Sequence, residues 1–131
     1  ATVASSLVYK LPDDAAEDSH DLLPLLKGKK VSPRTSHVHN TRADAWAIRV
    51  GEWNLIEGKS GYHSRVQKNW ETKRNYPADD KDPVELYHYA KDPSQRVNLA
   101  QKFPKKVAQL QKALKDARDR GFTAPRLAGS R

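Results

Sequence analysis

The sequence predicts an α+β fold in which a small antiparallel sheet of about four strands packs against a C-terminal α-helix. Two observations predict this class: four short runs of β-forming residues lie in the middle of the chain, and a long amphipathic helix follows them. The chain has 131 residues, enough for one domain with a modest core. With 37% hydrophobic and 31% charged residues, the domain is expected to be globular and rather polar.

The N-terminal quarter of the chain predicts short helical pieces. Residues 1–10 favour a helix that stops before Pro12, because proline disfavours helix at the preceding residue. The apolar run after Asp21 contains a proline and predicts a single helical turn closed by Gly28. We expect residues 27–35, which are basic and contain a proline, to form a connection to the first strand.

The middle of the chain contains four strand candidates, which are residues 36–41, 45–50, 53–57 and 84–89. Gly51 between the second and third candidates predicts a hairpin, because glycine readily adopts the positive φ that tight turns need. Alternation places Trp46 and Ile48 on one face of the second strand, and Ala47 and Arg49 on the other. Residues 58–83 are predicted as a long functional loop, since loops of that length are uncommon in compact domains.

The clearest predicted helix covers residues 104–120 and should lie on one face of the sheet. Pro104 suits the first turn of a helix, and Gly121 is well placed to end it. Apolar residues recur at spacings of three and four and form one stripe, which consists of Val107, Leu110, Leu114 and Ala117. The tail beyond residue 127 is expected to be loose.

The net charge of +8 is concentrated in residues 81–131, which carry twelve Lys/Arg against five Asp/Glu. Such an excess favours polyanionic partners, either nucleic acid or acidic and sulfated glycans. A solvated, lysine-rich helix face would have the same composition. Nucleic acid is the least favoured partner, because the sequence has no RNP motif, helix-turn-helix pair or zinc finger.

Several classes of site are excluded by composition and spacing. The sequence has no cysteine, which removes disulfides, thiolate catalysis and cysteine-based zinc sites. His37 and His39 could share a metal on one strand face, but no third ligand is apparent nearby. We find no Gly-x-Ser-x-Gly elbow, no P-loop and no apolar run near the roughly 18 residues of a membrane span. We therefore predict no catalytic residue and no metal site in this chain.

The segment after the predicted hairpin has the residues of an anion-binding loop. Lys59, His63 and Arg65 are potential donors to an oxyanion, and Gly58 and Gly61 permit close backbone approach. The alternative is an ordinary solvent-exposed loop. Because this loop has no evident nucleophile, we expect it to lend its charges to a site built elsewhere.

Five segments in order resemble the C-terminal part of the formylglycine-dependent sulfatases, the type I or arylsulfatase-like family. Residues 47–56, AIRVGEWNLI, resemble the family's A-I-R-x-G-x-W-K-L-I hairpin, with Asn54 where Lys is usual. In the last segment, which contains ELYHYAKDPSQRVNLA, His88 and Gln95 replace the usual Asp/Asn and Glu. The other matching segments are residues 14–28, 37–41 and 58–65.

The resemblance implies how the chain is organised. Residues 12–127 would be the sulfatase C-terminal α+β subdomain, residues 1–11 the end of a helix from the preceding catalytic domain, and residues 128–131 a loose tail. The family's Cys/Ser-x-Pro-x-Arg motif is absent, so formylglycine and calcium are expected in the catalytic domain and not in this chain. The chain alone should be inactive, and its parent would be a secreted or periplasmic sulfuric ester hydrolase.

The resemblance also implies partners and substrate contacts. The subdomain would pack against the catalytic α/β domain and complete its pocket for a sulfated substrate, expected to be a carbohydrate. The residues expected to contact that substrate are His39, Asn40, Lys59, His63 and Arg65. We further expect the sheet face left uncovered in this chain to hold an apolar patch that could pair two copies. A stand-alone module binding sulfated glycans or, less favoured, nucleic acid is the alternative.

Overall fold

The computed structural model describes residues 1–12, 15–42, 45–58, 68–74 and 82–124. Along these residues the elements are α1 (Thr2–Ser6), α2 (Leu23–Leu26), β1 (Ser36–Arg42), β2 (Ala45–Val50), β3 (Trp53–Glu57), α3 (Lys68–Lys73), β4 (Val84–His88) and α4 (Pro104–Arg120). The predicted α+β class, with one sheet and a C-terminal helix, is confirmed. No helix in these ranges is long and apolar enough to cross a membrane.

The four strands form one antiparallel sheet in the order β1-β2-β3-β4. Its register places one apolar residue of each strand in a single row, which consists of Val38, Ile48, Leu55 and Leu86. Gly51 makes the turn between β2 and β3 with a φ of 57°, a conformation that carries little cost for glycine. The predicted hairpin is therefore confirmed with both strand boundaries.

The core lies between this row and α4. Ile48, Leu55 and Leu86 are at most 1% exposed, and they cluster with Leu110 and Leu114 of the helix. Full burial of such a side chain contributes about 1.5–3 kcal/mol, so these contacts hold α4 on the sheet. The predicted apolar stripe of α4 is confirmed as the face that meets the strands.

Both ends of α4 agree with the prediction. Pro104 occupies the first turn, and Gly121 caps the other end in the left-handed conformation with a φ of 75°. The backbone N–H of Gly121 donates to the carbonyls of Ala117 and Arg118, which satisfies carbonyls that the helix leaves unpaired.

Residues 58–83, which the sequence predicts as a long loop, contain a short helix, α3, that the sequence analysis did not identify. Its sequence, KNWETK, contains good helix formers but no apolar repeat, so periodicity could not reveal it. The carbonyl of Arg74, just after α3, accepts a hydrogen bond of 3.0 Å from Arg96 Nη1. This bond ties the segment to the chain that follows β4.

The N-terminal residues form a helical pair that is fastened to the end of α4. The helix predicted over residues 1–10 is shorter, ending at Ser6, and Val8 adopts a positive φ of 57°. Thr2 Oγ1 accepts from the backbone N–H of Leu22 at 2.9 Å and thereby joins α1 to α2. Asp18 Oδ1 accepts from both N and Oγ1 of Thr123, at 2.9 and 2.8 Å.

The sheet face opposite α4 carries buried polar side chains, and the apolar patch expected there is not found, because none of its described large hydrophobic residues is exposed. Asn54 and Glu85 are buried on it, at 3% and 9% exposure. Asn54 Nδ2 donates to Gln95 Oε1 at 2.7 Å, and Tyr87 Oη donates to Glu85 Oε2 at 2.8 Å. The exposed large hydrophobic side chains of the described residues all lie outside the sheet, at Val3, Leu7, Val8, Tyr9, Leu26, Val31, Val97 and Phe103. A dimer formed through the sheet face therefore gains no support.

Candidate functional site

One end of the sheet brings together segments that the sequence identified as candidate substrate contacts. At this end the register aligns Asn40, Trp46, Glu57 and Val84 in a row across the four strands. We call this the loop end of the sheet. The chain leaves it at Gly58, whose N–H donates to the carbonyl of Pro83 at 3.1 Å. The end of β1 and the start of the predicted anion-binding loop are therefore at the same end of the sheet.

The three predicted donors in that loop lie outside the described residues. These are Lys59, His63 and Arg65. Only their anchor, Gly58, is described, and it has a φ of 91°, which favours glycine. The role of these side chains toward a substrate stays a prediction.

His39 and Asn40, the other two candidates, face opposite sides of β1. Successive residues of a strand point to opposite faces. Asn40 shares a cross-strand row with Trp46, on the α4 face, whereas His39 pairs with Ala47 on the other. The structure thus brings the two residues to the loop end but does not bring their side chains together.

His39 lies beside a second imidazole on the free face of the sheet. The rings of His37 and His39 stack with their centroids 5.4 Å apart. Burial lowers the pKa of His39 below its ordinary value of 6.5, and the nearby His37 lowers it further. A neutral imidazole has one N–H donor and one acceptor nitrogen, which suits hydrogen bonding to a hydroxyl group.

Asn40 borders a cavity on the other side of the sheet. The cavity has a volume of about 420 Å³ and lies between the loop end and the C-terminal end of α4. Its lining includes Trp46, Arg118, Phe122 and Asp18. This volume is in the range of about 300–1,000 Å³ that is common for small-molecule sites.

Arg118 also lines this cavity, and the sequence analysis did not identify it as a candidate site residue. Its Cζ lies 4.6 Å from the ring centroid of Trp46, within the distance of a cation–π contact. Trp46 in turn packs against the hydrophobic core. One sequence signal could have identified Arg118: it follows Leu114 by four residues, so it lies beside the apolar stripe that meets the sheet.

Two residues of the family-like segment after β4 have a structural role. Asp92 Oδ2 accepts from the backbone N–H groups of Arg96 and Val97, at 2.6 and 2.8 Å. Asn98 Oδ1 accepts from the N–H of Leu86 at 2.9 Å, and its amide nitrogen donates to the carbonyl of Val84 at 3.2 Å. These side chains hold the segment on the outer edge of β4.

A metal site is not formed within the part of the chain that the structure describes, where no three His, Cys, Asp or Glu side chains are grouped. His37 and His39 stack as a pair of imidazoles. Among the described residues, the loop end offers an imidazole, an amide and a guanidinium for hydrogen bonding and charge.

Comparison with known proteins identifies relatives over nearly the whole chain. No family model matches it. The chain is 32% identical over 120 residues to an N-acetylgalactosamine-6-O-sulfatase of Bacteroides thetaiotaomicron, covering 92% of this chain and 22% of the relative. One solved structure, a 6S-sulfatase from work on the metabolism of multiple glycosaminoglycans by Bacteroides thetaiotaomicron, is 28% identical with a TM-score of 0.67, covering 88% of this chain and 23% of that one.

A second solved structure supports the fold alone, since it is only 18% identical, with a TM-score of 0.59 over 90% of this chain and 22% of that one. That protein was solved in complex with its substrate, D-glucosamine-2-N,6-O-disulfate. By sequence the chain is homologous to part of an N-acetylgalactosamine-6-O-sulfatase, which supports a sulfatase-related C-terminal region. It spans about a fifth of the length of these relatives, which is consistent with a C-terminal sulfatase subdomain.

Proposed function

We propose that the chain completes the substrate pocket of a sulfatase whose catalytic domain lies outside these 131 residues, and that the substrate is a sulfated carbohydrate. The observation that carries this proposal is the 32% identity, over 120 residues, to an N-acetylgalactosamine-6-O-sulfatase. In this arrangement His39, Asn40, Lys59, His63 and Arg65 contact the substrate. Arg and Lys would donate to sulfate oxygens, and His39 and Asn40 would hydrogen-bond to sugar hydroxyls.

The geometry of the loop end supports this role. The end of β1 and the start of the loop after Gly58 project from the same end of a sheet that α4 holds rigid. Residues at the ends of rigid strands are well suited to position a substrate, because their backbones cannot shift independently of the core.

The nucleophile and metal ligands of the reaction would come from the catalytic domain. This chain has no cysteine and no Ser-x-Pro-x-Arg sequence, so its residues do not fit a formylglycine site. The grouped acidic ligands that calcium prefers are likewise not found among the described residues. The contribution of this chain would be binding and orientation of the substrate.

The catalytic domain would dock on the N-terminal helical pair. Exposed apolar side chains are concentrated there, and Val8 is 93% exposed. Contiguous exposed apolar surface is a mark of an interaction site. Val8→Asp should not lower the unfolding midpoint of the isolated chain, because aspartate tolerates the positive φ of this position better than valine does. It should lower the midpoint of the polypeptide containing both domains. An equal effect in both would contradict docking at this surface.

The proposal is tested with the natural polypeptide that contains this chain. Its intact mass should be several times the 14.8 kDa of the chain, and it should release sulfate from N-acetylgalactosamine 6-sulfate, whereas the chain alone should not. His63→Gln in the long polypeptide should reduce kcat/KM about tenfold or more. Lys105→Gln, at the opposite end of α4, is the matched control and should change it less than about twofold.

Two results would overturn the proposal. Turnover by the pure 131-residue chain would mean that it contains its own active site. A native product of about 14.8 kDa that binds sulfated glycans without hydrolysing them would make the chain a stand-alone binding module.

A further inference from the structure

The guanidinium of Arg118 contacts the ring of Trp46 and has no acidic partner among the residues that the structure describes. It lies over the ring of Trp46, 4.6 Å from the centroid. The nearby acids of α4 are already paired: Asp116 with Lys112 at 2.6 Å, and Asp119 with Lys115. Among the described residues Arg118 has no hydrogen-bond or ion-pair partner. Its five N–H donors are thus available to a ligand.

The surroundings of Arg118 distinguish it from other surface arginines. Arg120, two residues later, donates from Nε to the carbonyl of Asp116 at 3.2 Å, and it does not line the cavity. Arg118 lines the 420 Å³ cavity together with Asn40 and Asp18. Because Trp46 is packed against the core, the stacked guanidinium loses less side-chain freedom when it binds than a free arginine would.

We propose that Arg118, positioned by Trp46, anchors a subsite for a negatively charged sugar, in which it binds a sulfate ester or a uronate carboxylate. Asn40 and Asp18 then provide an amide and a carboxylate for hydrogen bonds to hydroxyl groups of the same sugar. The choice of a sugar as ligand rests on the proposed function. The subsite lies on the α4 side of the loop end, so it would hold a unit of the glycan beside the one contacted by His39.

The cavity has one cationic and one anionic side chain, so its ligand should carry both an acidic group and hydroxyl groups. A guanidinium binds planar or tetrahedral oxyanions through two parallel N–H donors. The Asp18 carboxylate, which already accepts from Thr123 through Oδ1, disfavours a ligand that is anionic on every side. A sugar with one acidic substituent can place its anionic group against Arg118 and a hydroxyl group against Asp18. A nucleic-acid backbone carries a phosphate on every nucleotide and would be repelled by Asp18.

Binding is measured on the 131-residue chain by the NMR shift of the Trp46 indole N–H, assigned by its loss in Trp46→Phe. The probes are N-acetylgalactosamine 6-sulfate, an unsulfated chondroitin tetrasaccharide and its 6-sulfated form. Arg118→Gln should raise the Kd about tenfold or more, the typical effect of losing a charge-assisted bond. Arg120→Gln removes the same charge from the same helix end and should raise it less than about twofold.

The three probes distinguish the two anion sources. Binding of N-acetylgalactosamine 6-sulfate without binding of the unsulfated tetrasaccharide assigns the sulfate as the anion. Binding of the unsulfated tetrasaccharide with the same Kd as its 6-sulfated form assigns the uronate carboxylate. Absence of a Trp46 shift with all three probes would overturn the subsite. Equal losses in Arg118→Gln and Arg120→Gln would also overturn it, because they would indicate general charge attraction.

A second measurement uses the polypeptide with its catalytic domain. Arg118→Gln should raise KM while kcat stays within about twofold, and Arg118→Lys should recover part of the loss, since lysine keeps the charge but not the fork. An unchanged KM would count against the subsite even if sulfatase activity is present. A polypeptide without sulfatase activity whose Trp46 signal still shifts would refute the proposed function and leave the subsite standing.

Discussion

The hydrogen bond between Asn54 and Gln95 predicts a strong energetic coupling between two positions 41 residues apart. These are two of the positions where the chain departs from the sulfatase-like pattern, which has Lys and Glu there. Asn54 is 3% exposed, and its amide nitrogen donates to Gln95 Oε1 at 2.7 Å. We infer that this neutral amide pair occupies the place of a Lys–Glu ion pair. The substitutions at Asn54 and Gln95 are therefore expected to depend on each other.

The expected free energies follow from burial. Asn54→Lys alone would place an ammonium group beside an uncharged amide, and uncompensated buried charges cost about 3–5 kcal/mol. Gln95 is only partly buried, so we expect a loss of about 3 kcal/mol. Gln95→Glu alone keeps an acceptor for Asn54 and should cost less than about 1 kcal/mol. The double variant restores opposite charges and should recover about 2 kcal/mol of the summed losses.

Urea unfolding of the wild type, both single variants and the double variant measures this coupling at pH 7. The exposed pair Lys112 and Asp116, whose side chains are 75% and 50% exposed, provides the control cycle. Its coupling should stay below about 0.5 kcal/mol, as for surface ion pairs. If the losses at Asn54 and Gln95 add within about 0.5 kcal/mol, the reasoning is refuted.

Three further predictions concern the helical pair, the hairpin and the core. His20 is 7% exposed. Burial lowers its pKa below 6.5, and the positive charge of Arg34 lowers it further, whereas Asp18 acts in the opposite direction. The unfolded chain therefore binds this proton more readily, and stability should fall as pH drops below about 6.5; His20→Gln should flatten the dependence of the urea midpoint on pH. Gly51→Ala should cost about 1 kcal/mol because its φ is 57°, and Gly51→Asn less, as thermal unfolding would record. Leu114→Ala should cost about 2–5 kcal/mol in urea unfolding, since this side chain is 0% exposed.

The sheet and α4 could be predicted from the sequence because their signals are local. Alternating apolar residues defined β2 and β3, and Gly51 fixed the turn that sets their register. Gly121 marked the end of α4 in the same way. By contrast, α3 has six residues without an apolar repeat, so its helical conformation depends on contacts that a sequence pattern does not contain.

The candidate site was only partly predictable, for a related reason. The motif resemblance located the end of β1 and the loop after Gly58, which are short segments with characteristic residue types. It could not identify the contact between Trp46 and Arg118, because that contact exists only once α4 lies across the sheet. Nor could it show that Asn54 and Gln95 are partners, although it marked each of them as a departure.

The sheet separates two sides of the candidate site. The α4 face carries the apolar row that forms the core, and the next row toward the loop end begins with Asn40 and Trp46. The packing that stabilises α4 therefore also fixes the distance between Trp46 and Arg118. His39 lies on the other face of the same strand, beside His37. A ligand that contacts both His39 and Asn40 must consequently cross the end of β1, and a glycan of more than one unit has the length to do so.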